Sequence, residues 1–412
     1  MKETLKRYLD LSHGENIVYL TAACVFLPYY ISCIVMAVMF FYILFRTDLR
    51  RTVFGHFGAF LIPVFSALTL ITAIIYGNWL GIICSLAFLA IMTIGFYIRT
   101  VMTEAVYEKA LDLCCAFSLI TSVLIIIERL IFLFDEHFLE LYPSLSEYRC
   151  FGNFFGNMYF SFYFNPNYLG SILAAVILIC AYKIIGKRTD KKRYYIFAFF
   201  AAVAMFLTES MFAWIVVFIG VSMLLLLSGR HQLLGILCIV AACGCFILLN
   251  IPEIFPRIAH IGGTTNNRVK IWEMTVQSIP DSLWFGKGFF TYFTVALSTP
   301  DAYFTTHAHN IFLEPLLSFG IIGSLILFVS VFILFQRIML CKNCLRKSGI
   351  TNLILALISG ILIHSIVDMT MLWVQTGLLY CVIVGGLGAE EKRLQRIFGH
   401  FSKKKIKDVT EV

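Results

Sequence analysis

WLGIICSLAFLAIMTIGFYI, residues 79–98, contains no charged side chain. Wound as an α-helix at about 1.5 Å per residue, it reaches about 30 Å, the thickness of a bilayer's hydrocarbon core. In lipid a single segment must satisfy its own backbone hydrogen bonds, and a helix does so. The stretch therefore reads as a membrane span, and the chain repeats it. Comparable apolar runs lie near 17–45, 53–76, 111–134, 167–185, 194–208, 211–227, 232–250, 311–335, 351–370 and 371–389. The first is too long for one straight crossing and contains Pro28, so it reads as one tilted helix or two short ones. The count is then eleven or twelve. The expected fold class is all-α, a polytopic integral membrane protein with 1–412 as one transmembrane domain. Within it, 251–310 is a large loop and 390–412 a basic tail.

Composition agrees. Of 412 residues, 60% are hydrophobic and 14% charged, against about 25% charged in a soluble domain. The net charge of +8 does not imply a nucleic-acid partner. Basic residues come in short clusters between apolar runs, as the positive-inside rule requires. Thirteen cysteines do not form a disulfide framework, since most lie within apolar runs and Cys150 is the one expected in an outer loop. Cys341-Lys-Asn-Cys344 is a lone CxxC without a second pair. The first apolar run is too long for a cleavable signal peptide.

Orientation follows from Lys and Arg. Arg46/Arg50/Arg51, Lys187/Arg188/Lys191/Lys192/Arg193, Lys342/Arg346/Lys347 and Lys403/Lys404/Lys405 fall on one side of this layout, which is therefore cytoplasmic. The loops 135–166 and 251–310 face outward. The second holds Trp272, Trp284, Phe285, Phe289, Phe290, Tyr292 and Phe293, enough apolar surface to fold as short helices over the outer membrane face. The basic tail is suited to anionic membrane lipid.

The polar residues that draw notice are few. His307-Ala-His309-Asn310 stands where the late loop enters a span, followed by Leu313-Glu314 and Gly320-Ile-Ile-Gly323. Both imidazoles can titrate or bind metal, but HxH alone lacks the third ligand of a catalytic zinc site; a polar cap on the next helix is the other reading. Upstream are Asn267-Arg268, Trp272, Pro280 and Phe285-Gly286-Lys287-Gly288. Arginine suits phosphate because its planar fork donates paired hydrogen bonds and stays charged, though an ordinary loop arginine also accounts for it. Asn165-Pro166-Asn167 with Gly170 reads as a capped helix start. His364 and Asp368, four apart in a span, share a helix face; they read as a functional pair or a buried hydrogen bond between helices. Thr208-Glu209-Ser210 links two spans and puts a carboxylate at the outer surface.

The ordered set from Asn267 to Gly323 resembles the O-antigen ligase and polymerase superfamily of bacterial envelopes. The features that carry this are Arg268/Trp272, Pro280, Gly286/Gly288, His309-Asn310 and Gly320/Gly323, with Asn165-Pro166-Asn167 and His364/Asp368 beside them. One departure is Met211, where many members have an arginine after the Ser of the link; Arg149, Arg257 or Arg268 would then take that charge, or the substrate differs. The resemblance implies a multi-pass protein of the bacterial cytoplasmic membrane that transfers a glycan at its outer face. The donor would be an oligosaccharide on undecaprenyl pyrophosphate. A polymerase moves the chain onto the next lipid-linked repeat of a capsule, O-antigen or exopolysaccharide; a ligase moves it to another acceptor. His309 would be the base and Arg268 the phosphate clamp, with Asn310 and Glu209 orienting. His307, Asn167, Trp272, His364 and Asp368 would line the substrate. This scheme requires no cofactor and no metal; partners would be the lipid-linked glycan, membrane lipids and other polysaccharide-assembly proteins. A lipid-linked glycan flippase is the alternative of another class, and it would hold its site near the bilayer midplane.

Overall fold

The computed structural model describes residues 13–55, 58–134, 165–186, 190–251, 261–300, 302–345 and 348–410, with side chains except at 128–134, 261–264 and 399–410. Among these residues the chain is helical throughout, with no strand. In chain order the α-helices are α1 Gly14–Cys24, α2 Tyr29–Phe45, α3 Thr47–Phe54, α4 Leu61–Ile75, α5 Trp79–Val101, α6 Glu104–Phe134, α7 Pro166–Ile185, α8 Lys192–Leu207, α9 Met211–Leu227 and α10 His231–Asn250. There follow α11 Ile261–Ser278, α12 Thr291–Ser298, α13 Leu313–Cys344, α14 Gly349–His364, α15 Val374–Gly385 and α16 Leu387–Thr410.

The chain is a multi-pass membrane protein by the length and composition of these helices. α5, α7, α10, α13 and the Glu104–Ile127 part of α6 are long and apolar enough to cross a bilayer. A sixth span is added if α2 and α3, bent by 95°, count as one. The apolar α4, α9 and α14 are shorter, at 15, 17 and 16 residues. Of the expected eleven or twelve spans, five or six are thus long and apolar enough among the described residues, and three more fall on these shorter apolar helices. The run 17–45 divides at Pro28, where Ser32 Oγ donates to the freed Cys24 carbonyl at 2.6 Å. The run 371–389 holds the twelve-residue α15 and the start of α16 at Leu387, with a 3₁₀ turn, Thr370–Leu372, ahead of α15. The loop 135–166 lies almost wholly outside the described residues, as do Arg149, Cys150 and Arg257.

Three features position the polar residues. α7 is the most enclosed of the long helices, whereas α10 buries none of its residues. At the start of α7 Asn165 caps the helix, accepting from Asn167 N at 2.8 Å with Pro166 in the first turn. A Cβ on Gly170 would stand 2.7 Å from Ser210, so this glycine lets the α8–α9 link close onto α7.

The third feature is a break in α13. Gly320 has φ +62° and ψ −168°, a conformation open essentially to glycine. Breaking a helix frees backbone groups, and the late loop supplies partners. Ile321 N and Ile322 N donate to Leu283 O and Trp284 O at 2.9 and 3.0 Å, and Gly288 N donates to Ser318 O at 2.9 Å. Phe65, Phe289 and Phe319 close an aromatic cluster beneath, with centroids 4.7 to 6.0 Å apart. The Gly-x-Gly and Gly-x-x-Gly motifs are therefore two sides of one backbone junction, which fixes the late loop on the bundle.

The two ends of the bundle differ in chemistry. One end gathers the start of α7, the α8–α9 link, the start of α13 and the end of α14. At the other, buried Lys183 reaches Glu108 Oε2 and Asp112 Oδ1, each at 2.6 Å, tying α7 to α6. A cavity of about 460 Å³ also lies there, lined by Arg99, Arg337, Cys341 and Glu391 and remote from the histidines.

Candidate functional site

Asp368 is the hub. Its Oδ1 lies 2.9 Å from His309 Nδ1 and 3.3 Å from His307 Nε2, and its Oδ2 accepts from Asn167 Nδ2 at 2.8 Å. Ser210 Oγ donates to Asn167 Oδ1 at 3.2 Å, so the α8–α9 link, α7, the histidine loop and the α14 end form one network. A buried carboxylate so surrounded has partners for both oxygens, which is what its burial requires.

The histidines stand side by side, ring centroids 4.1 Å apart and planes 38° from parallel. Each is held at its far nitrogen by a threonine: Thr306 Oγ1 lies 3.0 Å from His307 Nδ1 and Thr305 Oγ1 2.9 Å from His309 Nε2. His309 has φ +51° and Glu209 φ +54°, two of three non-glycine residues in the left-handed region among those described. Burial lowers the pKa of His309 below its ordinary value. His307 and Arg268 add to this, against the opposing pull of Asp368. A neutral imidazole is thus favoured there.

Arg268, on α11, holds its guanidinium 4.8 Å from the centroid of Phe212, the second residue of α9. His364 stacks on the same Phe212 at 5.9 Å and faces Ser171 Oγ through Nδ1 at 3.4 Å. His364 and Asp368 therefore do not act as a pair on one helix face. α14 ends at His364, because the next carbonyls go to other partners: Ser365 O accepts from Ile311 N and Ile366 O from Asn310 Nδ2. Asp368 lies beyond the helix, turned to the two histidines.

Other expected residues serve the backbone. Asn310 Oδ1 accepts from Phe312 N and Leu313 N at 2.9 and 3.1 Å, capping the entry to α13. Trp272, one turn after Arg268, donates from Nε1 to Ala308 O at 3.1 Å, and so pins the histidine loop to α11. Glu209 lies half-buried in the α8–α9 turn. Glu314 is buried and accepts from Ala308 N and Ser318 Oγ at 2.7 and 2.6 Å, bracing the same loop from below.

Sequence reasoning missed Thr305, Thr306 and Ser171 because an isolated hydroxyl carries no motif. It also missed that HxH gains a third donor, since Asp368 arrives from 59 residues beyond His309. His307, His309 and Asp368 offer one ligand atom each, all within 4.8 Å of one another. Chemically the arrangement offers an oriented neutral imidazole, a nearby guanidinium and a three-donor set for a cation.

Comparison with curated proteins returns no match to this chain. Among protein families, residues 196–328 match the model described as O-antigen ligase. The match runs from α8 to the first half of α13 and takes in Glu209, Arg268, Trp272, His307, His309 and Asn310, while Asn167, His364 and Asp368 lie outside it. Residues 196–328 thus carry a domain of the O-antigen ligase family, the family that the motifs between Asn267 and Gly323 resemble.

Proposed function

We propose that this protein polymerises undecaprenyl-pyrophosphate-linked oligosaccharide repeats at the outer face of the bacterial cytoplasmic membrane, with His309 as general base and Arg268 as phosphate clamp. The observation that carries the reading is the His309 geometry. With its Nδ1–H donating to Asp368, the ring turns the Nε2 lone pair toward Thr305, and that nitrogen can take a proton once an acceptor hydroxyl replaces the threonine's. Thr305 Oγ1 sits 2.9 Å from that nitrogen and marks where an acceptor hydroxyl would stand. In the reaction, the acceptor oxygen forms a bond to the anomeric carbon and gives its proton to Nε2. The bond between that carbon and the pyrophosphate oxygen breaks, and its electron pair leaves with the phosphate. Base help of this kind contributes about 10²–10⁴-fold.

Arg268 supports the other half of the step. Its cation lies over Phe212, beside Met211, the position where many members carry their arginine. There it shares the Phe212 ring with His364. A guanidinium in a partly dry site stabilises charge that develops on a departing phosphate. Asp368, Asn167, Asn310 and Trp272 are positioning residues in this scheme, while Glu209 and His307 border the acceptor and donor.

The test is product length on a gel from membranes of His309→Ala, with protein abundance checked. Loss of long polymer with accumulation of lipid-linked donor supports the proposal. Normal-length polymer at normal abundance overturns it. Transfer of preformed chains to a different acceptor, without elongation, would assign a ligase instead.

A further inference from the structure

We propose that His307, His309 and Asp368 also bind one divalent transition-metal ion of the Zn²⁺ class, and that this ion and the glycosyl transfer exclude each other. The binding half stands alone; the exclusion half rests on the reading of His309 as base.

The geometry is that of a ligand set. A tetrahedral zinc ion at about 2.0–2.1 Å from its ligands holds them about 3.3 Å apart. His307 Nε2 and His309 Nδ1 already lie 3.3 and 2.9 Å from Asp368 Oδ1. Three protein donors with a fourth position open is the ligand count of zinc sites that exchange water or substrate. Two imidazoles and one carboxylate suit Zn²⁺, Co²⁺ or Ni²⁺ better than Mg²⁺ or Ca²⁺, which prefer oxygen. His307 and Asp368 are 3% exposed at the side chain and His309 is 21% exposed, so an ion can enter past His309.

The supports behind the donors are also in place. Metal-binding imidazoles are oriented by a hydrogen bond at the far nitrogen, and ligating carboxylates at the far oxygen. Here Thr306 serves His307, Thr305 serves His309 and Asn167 serves Asp368. Each of the three donors therefore has its own anchor, and the anchors come from two separate parts of the chain.

Exclusion follows from the tautomers. Without metal, each ring carries its proton on the nitrogen facing Asp368, and the threonine hydroxyl donates to the other nitrogen. With metal, those facing nitrogens give their lone pairs to the ion. Each ring keeps its single proton on the nitrogen facing threonine, and the hydroxyl becomes the acceptor. A hydroxyl can do either, so the same anchors serve both states. In the metal state His309 Nε2 bears a proton and cannot take one from an acceptor hydroxyl.

The experiment uses the untagged full chain in detergent, titrated with Zn²⁺ by calorimetry and with Co²⁺ by visible absorption. One equivalent should bind, with a nitrogen/oxygen-ligand cobalt spectrum free of thiolate charge transfer. His307→Gln and Thr305→Val should each weaken binding about ten-fold or more, and Thr305→Ser should restore it. If His307→Gln does not fold, the Thr305 variants decide. Absence of stoichiometric binding, affinity unchanged in these variants, or a thiolate spectrum overturns the site and leaves the base reading intact. Transfer that stops on loading and returns with a chelator supports exclusion. Transfer that rises on loading overturns exclusion, and with it the metal-free base, while the site stands.

Discussion

His309 and Asp368 share a hydrogen bond of 2.9 Å across 59 residues of sequence, and that bond joins a loop before α13 to the turn after α14. The same carboxylate receives His307 and Asn167, so its removal disturbs three parts of the fold at one point.

Asp368→Asn keeps the shape and removes the charge, which deprives His309 of the partner that fixes its tautomer. Polymer formation should fall by about 10²-fold, with some product remaining. His364→Phe makes the contrast. His364 stacks on Phe212 and faces Ser171, not the hub, so its replacement should cost little by comparison. Equal losses in the two variants, at equal protein abundance, would show that the hub has no special role.

Gly320→Ala should destabilise the protein. Its backbone angles cost a side-chain residue about 1–3 kcal/mol, and a Cβ there would stand 2.5 Å from Phe285 N and Trp284 C. Gly235→Ala in α10 is the control, because nothing lies within 4 Å of the added Cβ. Thermal unfolding followed by size-exclusion chromatography in detergent should separate them, with Gly320→Ala melting lower and Gly235→Ala unchanged or higher. Equal melting would disprove the junction's importance.

Much of this fold was legible because apolar length is a strong signal: among the described residues each expected run carries helix, though 17–45 is divided at Pro28. Helix ends were less legible. The run 351–370 reads as unbroken, yet α14 stops at His364 since Ile311 and Asn310 claim the following carbonyls. No local pattern announces a partner that far away. For the same reason Asp368 read as His364's neighbour, whereas it belongs with His307 and His309. The histidine loop itself was legible, since two imidazoles at the mouth of an apolar run stand out by composition. Its Thr305 and Thr306 anchors were not, because threonine is ordinary in any loop.

Lys183 tests the opposite end of the bundle. It is fully buried between Glu108 and Asp112, so Lys183→Met removes the cation they share and leaves Tyr182 on Glu108 and Arg193 and Tyr194 on Asp112. Such a change should lower stability by about 2 kcal/mol or more. Adding Glu108→Gln should recover part of the loss. A single variant as stable as the parent would mean that the cluster contributes nothing net.

Sidedness follows from the basic clusters. A cysteine introduced at Ser298, the exposed last residue of α12, should react with an impermeant reagent on intact cells, in a background without reactive native cysteines. Labelling only after lysis would place the histidine end in the cytoplasm and remove the outer-face site.

Arg268→Lys isolates what the guanidinium does. The charge is kept, so any purely coulombic effect on His309 survives. Two things are lost: the planar fork that donates paired hydrogen bonds to phosphate, and the flat cation that lies 4.8 Å from the Phe212 centroid. If Arg268 clamps the leaving pyrophosphate, Lys should impair transfer by about ten-fold or more, and Phe212→Leu should impair it less, by loosening the guanidinium without removing it. Lipid-linked donor should accumulate in both, in that order. If Arg268→Lys makes polymer of normal length and amount while Arg268→Ala does not, charge alone suffices. If Arg268→Ala is also normal at normal abundance, the phosphate is held elsewhere and the clamp assignment is wrong.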